Sequence, residues 1–117
     1  MTARKLEKQQ WHAYFDRVSK SITGKRAEIE IASIAIGDQI EAEWLPLLGI
    51  VYYPKDDAVE VLLEGLGHLI RRPREVHVDD SLGGLAGVIV VDADDVRHIV
   101  RLRDPLMLLA SPGSISA

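Results

Sequence analysis

Four histidines, His12, His68, His77 and His98, are the side chains best placed for proton or metal chemistry near neutral pH. None stands four residues from another, so the helical histidine pair of a zinc protease is absent. A metal or general-base reading falls on His77, Asp79 and His98, which lie in strand-like segments. Histidines in such segments more often serve structure or face solvent, so no cofactor is expected. Asp92-Ala93-Asp94-Asp95 opens like a calcium loop, but Val96, Arg97 and Arg103 occupy the fifth, sixth and twelfth positions. With Asp56-Asp57 and Asp79-Asp80, it reads as a turn, where aspartate bonds nearby backbone N–H groups.

No serine sits in the Gly-x-Ser-x-Gly setting of a nucleophile elbow. The glycine clusters Gly65-Leu66-Gly67 and Gly83-Gly84-Leu85-Ala86-Gly87 lack the spacing or the following helix of a phosphate loop. The chain also has no cysteine, which excludes disulfides, thiolate metal sites and cysteine catalysis. The chemistry points away from an enzyme.

The arginines divide into two groups. Arg71, Arg72 and Arg74 surround Pro73 and are the candidates for binding an anion or an acidic partner. Arg97, Arg101 and Arg103 project from one face of the last strand. Glu28 and Glu30, then Glu41 and Glu43, form acidic rows of the same geometry. Pairing those rows with the arginine strand would give cross-strand ion pairs of about 0.2–1 kcal/mol each.

The elements that must carry these residues follow from periodicity. Trp11, Tyr14, Phe15, Val18 and Ile22 share one stripe of a helix running from about Glu7 to Ile22, with Gly24 as its C-terminal stop. After Gly24 the period changes to two. Ala27, Ile29 and Ile31 alternate with charged neighbours, and a bulge near Ala32-Ser33 is expected where the phase slips. Gly37-Asp38 reads as a turn, followed by a strand with Ile40, Ala42 and Trp44 inward. Further strands are expected around Val59–Leu63, His68–Arg72, Val76–Val78, Leu85–Val91 and Val96–Arg103.

The chain has 117 residues, net charge −4, 47% apolar and 27% charged residues, which describes one ordinary globular domain and excludes a disordered chain. No apolar run reaches the ~18 residues of a membrane span. The charged start Met1–Lys8 lacks the apolar core of a signal peptide, so a cytoplasmic location is expected. The acidic balance disfavours a dedicated nucleic-acid binder.

The expected fold is α+β, mainly β. An N-terminal helix packs on a small antiparallel β-barrel or a strongly bent sheet of about six to eight short strands. Residues 1–110 form that domain, and 111–117 a flexible tail. Trp44–Tyr53 and Leu106–Leu109 hold more apolar side chains than one strand face can hide. An interface is therefore expected on Trp44, Leu47, Leu48, Tyr52 and Tyr53 with Leu106 and Leu108.

Three stretches carry a family resemblance: Trp11–Lys20, Glu41–Ile50 and Val100–Leu106. Together they resemble a family of small uncharacterised bacterial proteins, classed as a domain of unknown function, over most of the chain. The resemblance implies a bacterial, soluble, single-domain protein and supplies no catalytic residues. The helix-then-barrel layout is also similar to Sm-like proteins, which are RNA-binding rings; that likeness is one of architecture. The leading functional expectation is a non-enzymatic module acting through a protein partner or self-association. The alternatives are an anion or nucleic-acid binder using the arginine cluster, and a metal site or small hydrolase.

Overall fold

The computed structural model describes residues 3–80 and 84–105. A short strand β1 (Arg4–Leu6) and a 3₁₀ turn (Lys8–Gln10) precede helix α1 (Trp11–Ile22). Seven strands follow: β2 (Arg26–Ser33), β3 (Gly37–Tyr53), β4 (Ala58–Leu63), β5 (Leu66–Arg71), β6 (Pro73–Asp79), β7 (Gly87–Asp92) and β8 (Arg97–Arg103). All neighbours are antiparallel, in the order β1-β6-β7-β8-β2-β3-β4-β5. The expected mainly-β fold with one helix is present. The sheet is strongly bent, but its end strands β1 and β5 are not bonded to each other, so it is not closed into a barrel.

Helix α1 buries Trp11, Tyr14, Phe15 and Ile22, the residues its stripe selects. Each such burial is worth about 1.5–3 kcal/mol. Trp11 stands edge-on to Tyr52, with ring centroids 5.2 Å apart, and donates its indole N–H to the Leu6 carbonyl at 3.3 Å. That bond ties β1 to the helix; β1 is too short for periodicity to reveal. Gly24, with φ +93°, ends the helix in the left-handed conformation open to glycine.

β3 is the bent spine of the sheet. Its first half pairs with β2 and its second half with β4. Two extra residues opposite β2, and a third, Leu48, opposite β4, accompany the bend. Ala27 and Ile29 face Leu45 and Ala42, and Ile29 and Glu30 face Ala42 and Ile40. One extra residue is therefore Glu41, and the other lies at the Glu43–Trp44 step. Trp44 holds φ +54°, an outlier for a bulky side chain. The Arg103 guanidinium lies over its ring at 4.2 Å, and Arg26 donates to its carbonyl at 3.3 Å. These contacts hold a backbone that would otherwise cost about 1–3 kcal/mol. Pro46, which has no N–H to donate, falls at the same break.

The phase slip expected at Ala32-Ser33 lies instead on β3. Ser33, Ile34, Ala35, Ile36 and Gly37 make the β2–β3 turn, and Gly37 takes φ +75°. Because Glu41 is the extra residue, Ile40 turns outward while Ala42 stays inward. Ile40 is 51% exposed, contrary to the inward expectation.

Candidate functional site

Strand pairing sorts the candidate residues by face. Val76, Val90, His98 and Ile31 lie in one row across β6, β7, β8 and β2. His77, Ile89, Ile99, Glu30 and Ile40 lie in the next row, on the outer face. His77 and His98 therefore point to opposite faces, and His77, Asp79 and His98 do not share a site. His77 instead meets Glu75 at 3.0 Å, and that bond holds the Glu75 carboxyl below its usual range. Among the described residues, no group of three or more potential ligands is placed to hold a metal ion.

His98 is buried and belongs to a hydrogen-bonded chain. Its Nε2 lies 2.9 Å from Asp92 Oδ2, and its Nδ1 lies 2.9 Å from His68 Nε2. Asp92 Oδ1 accepts the backbone N–H groups of Asp94 and Val96 at 2.9 and 3.1 Å. Burial works against the Asp92 carboxylate, yet these bonds and His98 hold its pKa below the ordinary value. The hairpin turn expected at Asp92–Asp95 thus also anchors a histidine. The contact with His68 depends on strands β5 and β8 meeting across the bend, which local periodicity does not reveal.

Of the three arginines of the last strand, Arg101 pairs as the charge pattern suggests, whereas Arg103 stands opposite Arg26 and lies over the Trp44 ring. Arg101 stands opposite Glu28 and donates to Glu28 at 3.0 Å and Glu30 at 2.8 Å. Those bonds pull Glu30 below its usual range. Glu41 and Glu43 lie on β3, beyond β2, and are not neighbours of the arginine strand. In the cluster near Pro73, Arg72 meets Asp94 at 3.5 Å and Arg74 meets Asp95 at 2.7 Å. Arg71 lies on the outer face beside Tyr53, Asp56, Glu60 and Leu69. Two of the three anion-site candidates are thus paired with the acidic turn, and the third has carboxylates nearby.

The apolar candidates separate as well. Leu47 and Tyr52 are core residues, fully or nearly fully buried. Trp44 and Tyr53 are half-buried, and Tyr53 donates to Glu60 at 2.9 Å. Leu48 is exposed. Leu106 and Leu108 lie outside the described residues. A register shift explains the split: Leu48 is the extra residue between Leu47, opposite Leu63, and Gly49, opposite Leu62, so Leu47 and Tyr52, five residues apart, both reach the core.

A second exposed apolar surface lies elsewhere. Ile34 at the hairpin tip is wholly exposed, and Ile36 and Ile40 are 59% and 51% exposed. In the row of Ile40, half-buried Ile89 and Ile99 floor an outer groove of about 360 Å³, rimmed by His77, Asp79 and Arg101. Sequence reasoning placed Ile34 and Ile36 near a bend and Ile40 in the core. Their density within seven residues was the available signal.

Fold and sites together define a small mainly-β protein: one helix docked on a bent eight-stranded antiparallel sheet. Residues 2–111 match a family of unknown function, DUF5335, and the chain belongs to that family. It is 38% identical over 109 residues to an uncharacterised protein of Aquifex aeolicus (strain VF5), covering 92% of this chain and 98% of that one. The resemblance to an uncharacterised bacterial family is borne out. No solved structure matches the chain. Among the described residues, no helix is long and apolar enough to cross a membrane.

Proposed function

We propose that this protein is a self-associating interaction module that acts by contact rather than by catalysis. The observation that carries the reading is the trio Ile34, Ile36 and Ile40, exposed at 101%, 59% and 51% around one hairpin. Clustered aliphatic side chains in water favour burial against a partner.

A second copy of the chain is the partner best supported. The protruding hairpin and the Ile89–Ile99 groove belong to the same outer face, because Ile40, Glu30, Ile99 and Ile89 form one cross-strand row. A two-fold axis can then place each hairpin on the other copy's groove, a self-complementary arrangement. Arg101 at the groove rim already has Glu28 and Glu30 as partners, so covering it leaves no unpaired cation.

Light scattering on a size-exclusion column, across a concentration series, tests this. The native chain should approach twice its monomer mass. Ile36→Asp and Ile99→Asp, on opposite sides of the contact, should each return it to monomer with the fold retained by circular dichroism. A native chain that stays monomeric at every concentration would overturn self-association. The pairing of Arg72 and Arg74 with aspartates weighs against the anion-binding alternative.

A further inference from the structure

His68 and His98 belong to strands that are not neighbours. β5 is the last strand of the sheet and bonds only to β4, whereas β8 lies between β7 and β2. Their 2.9 Å contact crosses the inside of the bend and ties the β5 edge to the middle of the sheet. We infer that the chain Asp92–His98–His68 is a proton-operated latch that holds the β5 edge across the bend and releases it in acid.

The hydrogen positions are fixed from the Asp92 end. Asp92 is an acceptor on both oxygens, so His98 Nε2 carries the hydrogen and donates to Oδ2. Neutral His98 then offers only a lone pair at Nδ1. His68 Nε2 must donate to it, which leaves the lone pair of His68 at Nδ1. Each hydrogen bond follows from the one before.

The chain accommodates one extra proton. Added at His68 Nδ1, it makes His68 a charged donor and keeps the bond to His98. A second proton must go to His98 Nδ1, the acceptor itself. Two N–H groups then face each other, both rings are cationic, and the bond is lost. The contact therefore survives one added proton and is lost with two.

The surroundings set where this happens. Burial and the neighbouring His98 lower the His68 pKa from its ordinary 6.5, while Glu41 on β3 acts in the opposite direction. The cross-strand neighbour of His68 on β4 is the apolar Val61, and those of His98 on β7 and β2 are Val90 and Ile31. Among the described residues, Asp92 bears on His98 and Glu41 on His68. With a lowered folded pKa, stability is whole above the unfolded value and falls as pH drops through the folded one. The first proton, at His68, enters against burial and keeps the contact; the second, which breaks it, must enter a pair that is already charged, so release belongs on the acid side of the lowered His68 step.

Imidazole nitrogen NMR and amide hydrogen exchange on the full chain test this. Near pH 8, both His68 and His98 should be protonated at Nε2 and bare at Nδ1. Between about pH 7.5 and about pH 4.5, the protection factors of β5 amides should fall about tenfold while those of β2 hold. In His68→Leu the β5 amides should lose that pH dependence. A His68 hydrogen on Nδ1, or β5 protection unchanged by pH, would overturn the latch. So would a parallel loss in β2, which signals global unfolding. Should His68→Leu fail to fold, the native-chain titration decides alone.

Discussion

Arg101 stands directly opposite Glu28 across the β2–β8 pairing and also reaches Glu30, two residues further along the same strand face. One guanidinium thus clips two carboxylates of a strand far from it in the chain. It adds to the backbone pairing that joins β2 to β8 in the middle of the sheet.

Arg101 is 46% exposed, so water screens its two pairs. Arg101→Ala should cost about 1 kcal/mol of unfolding free energy. The loss should shrink in high salt. Urea unfolding at low and high ionic strength measures both. Arg101→Glu should cost more, because it puts three carboxylates together. A reversal variant as stable as the native chain would show that the clip contributes nothing.

Leu47 and Leu48 are adjacent and chemically identical, yet Leu47 is fully buried and Leu48 is 54% exposed. Leu47→Ala should destabilise the fold by about 2–5 kcal/mol. Leu48→Ala should stay within about 0.5 kcal/mol. Equal losses in parallel denaturation curves would contradict the strand phase described for β3.

Asp80 accepts two bonds from Arg4, at 3.1 and 2.8 Å, and one from Tyr14 at 2.7 Å. The Arg4 bonds and then the Tyr14 bond pull its pKa down from 3.8 to about 2. A lowered folded pKa means stability is present above the unfolded value and lost as pH falls through the folded one. The native melting temperature should therefore drop between pH 3.8 and about 2. Asp80→Asn should be less stable at neutral pH and should lack that segment of the acid profile. Matching profiles for the two proteins would remove Asp80 from the acid response. The Arg4 pairing also fastens β1, so the variant should show faster amide exchange there.

Short-range pattern made much of the fold legible. The aromatic stripe of α1 and the alternation of Val59, Val61 and Leu63 require only neighbours a few residues apart. Aspartate turn chemistry was readable for the same reason: Asp92 bonds N–H groups two and four residues along. Arg101 meeting the Glu28–Glu30 row was readable because like-charged rows cannot pair with each other. Excess apolar residues in Trp44–Tyr53 were also visible, but not which of them were core.

By itself, then, the sequence determined the element types, the inward faces of most strands and the single helix, because these depend on local sterics and side-chain period. Tertiary structure alone decided which strands meet. Only the bend in β3 brings His68 to His98. Only the extra residue Glu41 turns Ile40 outward into the row of Ile99. Only the reach of the β7–β8 turn pairs Asp94 and Asp95 with Arg72 and Arg74. Each of these joins residues through strand register, and register is set by the packing of the whole sheet rather than by any short stretch of chain.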